Sequence, residues 1–579
     1  MRNILNVFLL FLVSFFSKGA TKKANVIVIL SDDQGYGDFS CHGNPILRTP
    51  NLDKMHDEGV RFSNFHVSPL STPTRGQLLT GLDAMHNKAS TVLNGSCMMR
   101  RDIITMPEVF KENGYQTGIF GKWHLGDNYP DRPMDRGFIK SQWIKGWGLL
   151  SEMEFDNDYY RTRYMDSLTV VQSELYCTDL WFKNSMEWME EKQDNDEPFF
   201  TYIALNAPHG PVYAPKEDYL SYCKTLDEKT AQFLGMVQNI DKNVGKLMQW
   251  LDARGLKDNT LVVFMNDNGG TGGVDVFNAY MRGQKGDIYD GGHRAACFIQ
   301  YPEGGFGLPR TIDAAAEIQD LLPTFIDLFG LELDSQHQFD GVSLKPVLKG
   351  QALADRKFVV QIGNHVNPAK YNSAVVWNNW RLVKQDELYD LTNDPGQQTN
   401  VASQHPDIVN EMKNYYEGWW TTVNDPNETF IPLVVGNPIS NPVILASSDW
   451  IGTGPNTQWN VALAKDDPNG YWIIDVATAG TYRLELSRWP FHLNRPLSEV
   501  GPSVAVGGTS IRPGNSLAIK AGAVSLNNQA AVSANAAANA TKITIEIDMP
   551  QGINTLKAFF KDKSGAYLTG AYYVRVEKI

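Results

Sequence analysis

Four short, largely apolar stretches of this chain run directly into polar residues, and that arrangement constrains the fold more than any other feature. Residues 25–30 (NVIVIL) lead into Ser31-Asp32-Asp33, and residues 117–120 into Gly121-Lys122-Trp123-His124. Residues 199–205 (FFTYIAL) lead into Asn206-Ala207-Pro208-His209, and residues 261–265 (LVVFM) into Asn266-Asp267-Asn268-Gly269. Apolar runs without alternation read as strands covered on both faces, the condition of a parallel sheet. Between them lies helical spacing: Phe233, Met236, Val237, Ile240, Val244, Leu247, Met248 and Leu251 predict one long helix that stops at Gly255. Thr49-Pro50 reads as a helix start, and residues 107–112 before Gly114 as a second helix. The expectation is an α/β fold with a mostly parallel sheet sandwiched by helices. In such sheets ligands bind beyond the carboxyl ends of the strands, where these polar residues fall.

At 579 residues the chain exceeds one ordinary core, so several domains are expected. The catalytic α/β domain is placed at residues 21–345, with an apolar helix over residues 312–329. Small strands at residues 374–383 and 387–391 and a closing helix at 406–420 predict a small α+β subdomain over residues 346–430. Alternating runs around Tyr482, Leu484 and Leu486, around Ile543, Ile545 and Ile547, and around Tyr573, Val574 and Val576 predict an appended all-β sandwich at residues 436–579. The alanine-rich residues 530–540 read as a loop or a plain strand edge.

Met1 and Arg2, the apolar residues 4–16 and Ser17-Lys18-Gly19-Ala20 have the layout of a secretory signal over residues 1–20. An exported protein is expected, periplasmic, secreted or at the cell surface; the apolar run is short for an integral membrane span, an uncleaved anchor being the alternative. A net charge of -13 gives no basic footprint for nucleic acid. Cys41, Cys97, Cys177, Cys223 and Cys297 form no metal-spaced pairs, which argues against structural zinc; one or two disulfides are permitted.

Asp32, Asp33, Asp267 and Asn268, brought together by their strands, form an oxygen-only set suited to a hard cation, Ca²⁺ or Mg²⁺. Taken singly, each pair reads as a turn or a cap. In Ser71-Thr72-Pro73-Thr74-Arg75-Gly76-Gln77-Leu78-Leu79-Thr80-Gly81, Pro73 suits the first turn of a helix. Ser71 then falls just before the N-terminus, where free N–H groups favour an anion, and Arg75 lies one turn on.

That segment resembles the signature of the type I sulfatases, the formylglycine-dependent branch of the alkaline phosphatase superfamily: Cys or Ser, any residue, Pro, a small residue, Arg, then Leu-Thr-Gly. Asp32-Asp33-Gln34-Gly35, Thr49-Pro50-Asn51-Leu52-Asp53, Gly121-Lys122-Trp123-His124-Leu125-Gly126, Ala207-Pro208-His209, Asp267-Asn268-Gly269, Arg282-Gly283-Gln284-Lys285-Gly286 and Leu388-Tyr389-Asp390-Leu391 follow in family order, covering residues from about 24 to 425.

The resemblance implies a sulfuric ester hydrolase. Asp32, Asp33, Asp267 and Asn268 would bind calcium, in preference to magnesium, together with residue 71. Ser71 would be converted to 3-oxoalanine (formylglycine), whose hydrate attacks sulfur and then expels sulfate by re-forming the aldehyde. Arg75 and His124 would support the hydrate, with His124 the base for release. Lys122, Lys285 and His209 would contact the sulfate, and His209 or Lys285 would protonate the leaving oxygen. Serine in place of cysteine implies a radical-type maturation enzyme of bacterial kind. Thr74 stands where Ser or Ala is usual, and Asp290 where Glu is usual.

By analogy the substrate is a sulfated oligo- or polysaccharide, algal or mucosal, with Trp143, Trp147, Trp377 and Trp380 as candidates to rim the site and Asn278 to Arg282, His293 and Arg294 to select the leaving group. Two other readings compete. A phosphoesterase of the same superfamily would use an unmodified hydroxyl and a dinuclear metal site rich in His and Asp. A non-catalytic glycan-binding protein would rely on the C-terminal β-domain.

Overall fold

The computed structural model describes residues 22–579, apart from residues 152, 154, 335, 467–468 and 507–508; the secretory signal expected at residues 1–20 lies outside the described residues. The predicted buried strands form the centre of a ten-stranded sheet. Its order is Arg310–Ile312, Val60–Phe62, Cys297–Gln300, Thr260–Asn266, Asn25–Asp32, Phe199–Pro208, Gln116–Lys122, Lys140–Ile144, Thr162–Asp166 and Thr169–Ser173. The five strands from Thr260–Asn266 to Lys140–Ile144 are parallel neighbours. Antiparallel strands flank them on both sides.

Pleating explains why the central runs are apolar without alternation. Val26, Val28 and Leu30 enter one core and Ile27 and Ile29 the opposite one. Helices Cys177–Asp194 and Glu228–Ala253 cover the second face through residues such as Trp181, Phe233, Ile240 and Leu247. Ser71–Thr80, Met106–Glu112 and Leu321–Phe329 cover the first through Leu78, Leu79, Phe110 and Phe325.

The expected helix over residues 312–329 is shorter than its apolar run. Arg310–Ile312 is an edge strand parallel to Val60–Phe62, and helix begins only at Leu321. Tertiary pairing takes the β-branched Thr311 and Ile312 into the sheet. The alanine-rich stretch contains the strand Val532–Asn535 at a sheet edge.

The small subdomain is a four-stranded antiparallel sheet of Lys357–Gln361, Ser373–Trp377, Trp380–Val383 and Glu387–Asp390. Helix Pro406–Val423 lies on it, burying Met412 and Tyr416 against Val359, Val375, Leu382 and Leu388. The C-terminal region is a sandwich of a six-stranded and a four-stranded sheet, antiparallel except where Leu433–Val435 runs parallel to Trp472–Val476. Its core continues into the catalytic region, because Cys97, Met98, Leu150 and Phe155 belong to the same buried cluster as Tyr482, Leu484 and Phe560. All five cysteines are free thiols. No described helix is long and apolar enough to cross a membrane.

Gly121 sets how closely the central strands approach beside the polar ends. Its φ is +124°, and a Cβ there would sit 1.8 Å from the Ala204 carbonyl oxygen. Gly121→Ala should therefore cost on the order of 3 kcal/mol or more. The check is thermal unfolding of purified variant and parent; an unchanged midpoint would contradict this packing.

Candidate active site

The carboxyl ends of the central strands gather the predicted polar residues in one buried pocket. Asp32 ends its strand in register with Pro208, and Ser31 pairs with Asn266 just before Asp267. Asp32, Asp33 and Asp267 present carboxylate oxygens within 4.8 Å of one another, all buried. Asp33 has φ +69°, a turn conformation that Asp tolerates, and its backbone N–H donates to Asp267 Oδ1 at 3.0 Å. Asn268 Nδ2 donates to Asp33 Oδ1 at 3.0 Å.

Ser71 is the first residue of helix Ser71–Thr80, one position further in than its sequence suggested, with Leu70 as the N-cap. Its Oγ lies 3.0 Å from Asp32 Oδ1 and 3.1 Å from Asn268 Oδ1. Arg75, fully buried one turn along, reaches Asp267 Oδ2 at 3.4 Å and donates to the Lys122 carbonyl and the Tyr202 hydroxyl, each at 3.3 Å. Lys122 Nζ contacts Asp32 Oδ2 at 2.6 Å. Lys285 pairs with Asp33, and His209 Nε2 stands 3.9 Å from Asp33 Oδ2. His124 holds the Val92 carbonyl through Nε2 at 3.1 Å. These contacts join nine of the ten predicted site residues, which span residues 32 to 285 of the chain, and the tenth, His124, lies near enough to feel the charges of Lys122, Arg75 and Asp32.

The electrostatics show why these charges belong together. Burial pushes the Asp32 carboxyl up, but Lys122, His209, Arg75 and Lys285 outweigh it and hold the group well below the usual carboxylate range. Asp33 is likewise held down, against burial, by Lys285 and His209. Asp267 cannot share this relief: burial first, then the Asp32 charge, push it up to about 7 despite Arg75. Burial lowers Lys122, His209 and His124, leaving both imidazoles neutral near pH 7.

Three carboxylates, the Asn268 amide oxygen and the Ser71 oxygen make an all-oxygen donor set. One member is so short of positive charge that it is forced toward protonation. A hard divalent cation fits that set and removes the deficit. A second buried group, His66, Asp290 and His293, does not fit a cation. Arg381 Nε sits 2.7 Å from Asp290 Oδ1, Arg294 occupies Oδ2, and the two histidine Nδ1 atoms are 2.9 Å apart. His293 and Arg294 are therefore engaged in this cluster. Two further nitrogens, Arg75 Nε and His124 Nδ1, are buried without a hydrogen-bond partner, so the pocket has donor or acceptor capacity that a serine hydroxyl leaves unused.

Among the tryptophans, Trp147 reaches the site, with its ring 5.8 Å from that of His209. Trp143 is buried on the strand Lys140–Ile144, Trp377 donates to Asp355 at 2.9 Å, and Trp380 packs 5.0 Å from His405. Sequence reasoning missed Tyr202. The hydroxyl in the apolar run FFTYIAL was the available signal, because a buried phenol in such a strand needs a partner; here it meets Arg75.

A dry pocket at the carboxyl ends of a parallel sheet, with a hydroxyl at a helix N-terminus among lysines and an arginine, is the layout of a hydrolase of anionic esters. The chain belongs to the Sulfatase family, whose sequence profile matches residues 24–331, and it is a sulfuric ester hydrolase of the alkaline-phosphatase-like superfamily. N-acetylgalactosamine-6-sulfatase of Canis lupus familiaris is 29% identical over 423 residues, covering 67% of this chain and 78% of the relative. Arylsulfatase J of Mus musculus is 26% identical, covering 68% and 75%. Among solved structures, Ps i-CgsB in complex with k-i-k-neocarrahexaose aligns at TM-score 0.63 and 26% identity over 71% of this chain and 95% of that one. A protein solved with its substrate D-glucosamine-2-N,6-O-disulfate shares the fold at TM-score 0.59 and 21% identity, over 70% of this chain and 100% of the other.

Calcium should raise the thermal midpoint of chelator-treated protein, by roughly 2.7 kcal/mol of stability at a hundredfold excess over Kd. Asp267→Ala should lose that increment and all sulfate release while keeping its circular dichroism spectrum. Identical midpoints with and without calcium in the parent would exclude the cation site.

Proposed function

We propose that this protein is an exported glycan sulfatase that hydrolyses sulfate esters of a sulfated oligo- or polysaccharide at residue 71. The observation that carries the reading is the position of Ser71: a buried hydroxyl on the first residue of a helix, between Asp32 and Asn268. The relatives acting on N-acetylgalactosamine-6-sulfate and the neighbour solved with a carrageenan hexaose support a carbohydrate substrate. Export, to the periplasm or beyond, rests on the signal-like residues 1–20.

Asp32, Asp33, Asp267 and Asn268, with residue 71, would hold calcium, which supplies positive charge to the reacting sulfate oxygens. Formylglycine at residue 71, made from serine by a maturation enzyme, would supply as its hydrate one hydroxyl to attack sulfur and another to release sulfate. The remaining work falls to side chains in hand. Lys122 presents its ammonium group at Asp32 and Lys285 at Asp33, and both would bind the sulfate oxygens. Arg75 lies beneath residue 71, fixed by Tyr202 and the Lys122 carbonyl, and would orient its oxygens. His124, whose Nδ1 has no hydrogen-bond partner, would take a proton from residue 71 during release. His209 Nδ1 lies 2.8 Å from its neighbour's Gly210 carbonyl, which favours a proton there. Lys285, or His209 once Nε2 is protonated as well, would give a proton to the departing sugar oxygen.

Three acidic groups face three fixed cations, so the side-chain charges nearly cancel, and a divalent cation would make the pocket attractive to a sulfate monoanion. A phosphoesterase with two metals finds less support, because Arg381 and Arg294 already fill the His66–Asp290–His293 group.

Peptide mass spectrometry on protein from its native host should show the segment containing residue 71 lighter than serine by two hydrogens, and the same material should release sulfate from a sulfated saccharide. Full activity with unaltered serine would overturn the mechanism.

A further inference from the structure

The C-terminal sandwich lies against the candidate active site. A cleft of about 280 Å³, including its open mouth, begins at His124. One wall comes from the catalytic domain through Asp127 and Trp147, and the other from Ser448 and Asp449 of the C-terminal domain. The Trp147 ring, 5.8 Å from His209, stacks on Trp459 with centroids 6.5 Å apart and planes at 21°. His209, Trp147 and Trp459 thus form a file of rings leading from the reaction centre outward, ending at Trp459, which is 37% exposed.

This juxtaposition is fixed by the backbone. The Asn94 N–H donates to the Ser448 carbonyl at 2.9 Å, Asn456 Nδ2 donates to Asn94 Oδ1 at 2.8 Å, and a Cβ on Gly95 would lie 3.2 Å from the Asp449 carbonyl. The Sulfatase profile ends at residue 331, so this second wall is an addition of this chain to the family's matched region.

We propose that the C-terminal domain completes a saccharide subsite, in which a sugar ring adjoining the sulfated one rests on the Trp147–Trp459 platform. Indole faces are suited to the C–H face of a pyranose. Trp147 Nε1, buried without a hydrogen-bond partner, offers a donor to a ring oxygen or hydroxyl. Asp449 and Asp127 line the cleft, where Asp127 accepts from the Gly146 N–H at 2.8 Å and Asp449 from the Cys97 thiol at 3.7 Å. The chemical class selected is a saccharide in which the sulfated residue adjoins a second sugar ring. This inference rests on the carbohydrate reading above.

The test compares parent and Trp459→Ala, both verified as formylglycine proteins, on 4-nitrocatechol sulfate and on sulfated carrageenan and glycosaminoglycan oligosaccharides. The expected result is a fall of about tenfold in the ratio of kcat/KM for the best oligosaccharide to kcat/KM for the aryl sulfate, carried by KM and largely restored in Trp459→Phe. An unchanged ratio, or equal losses on both substrates, overturns the subsite and leaves the carbohydrate reading standing. A parent that hydrolyses the aryl sulfate and none of the oligosaccharides overturns the carbohydrate reading itself.

Discussion

Three carboxylates confined to a water-poor pocket set the terms for the rest of the molecule. In isolation Asp32, Asp33 and Asp267 would repel one another strongly at such separations. Each surrounding cation then acts both as a neutralising partner and as a chemical tool. Lys122 and Lys285 stabilise Asp32 and Asp33, and Arg75 is shared between Asp267 and Asp32. The residual strain sits on Asp267, the group pushed up to about 7. A buried ion pair of this kind contributes little net stability, since desolvation offsets attraction. Its retention is explained by the anion chemistry it prepares.

The flanking parts keep that pocket in shape. The small subdomain is tied to the main sheet by Arg381, whose guanidinium reaches Asn64 Oδ1 at 2.8 Å and Asp290 Oδ1 at 2.7 Å. Asp290 lies beside the loop that carries Lys285, and the Lys285 N–H donates to the Gly270 carbonyl at 3.2 Å, just past the acidic turn. The third region is joined through a common apolar cluster and brings Ser448 and Asp449 to the rim. The three parts are therefore joined by buried contacts.

Much of this was legible in the sequence, for physical reasons that differ by element. The central strands announce themselves because both faces are covered, so every residue from Val26 to Leu30 must be apolar. The long helix Glu228–Ala253 shows its buried stripe at regular spacing. The acidic and basic site residues were recognisable from their places after strands and from the resemblance. Residues 312–329 misled because an edge strand and a helix draw on the same apolar alphabet, and pairing with Val60–Phe62 decides between them. Trp143 and Trp147, four positions apart, looked alike as rim residues; only the sheet register, which pairs Trp143 with Gly121, separates a core residue from a cleft residue. The contribution of Trp459 depends on contact between residues over three hundred positions apart, which no local pattern encodes.

Ser71 is 1% exposed, and the whole helix Ser71–Thr80 is enclosed. The modification proposed for this residue would need its side chain within reach of another enzyme, and the folded molecule encloses it. On the proposed mechanism, conversion of Ser71 would therefore precede closure of the fold around it. Once the sheet closes, an untreated molecule has no route back to the modifying enzyme short of unfolding, so a preparation would hold two permanent populations whose ratio records how far modification kept pace with folding.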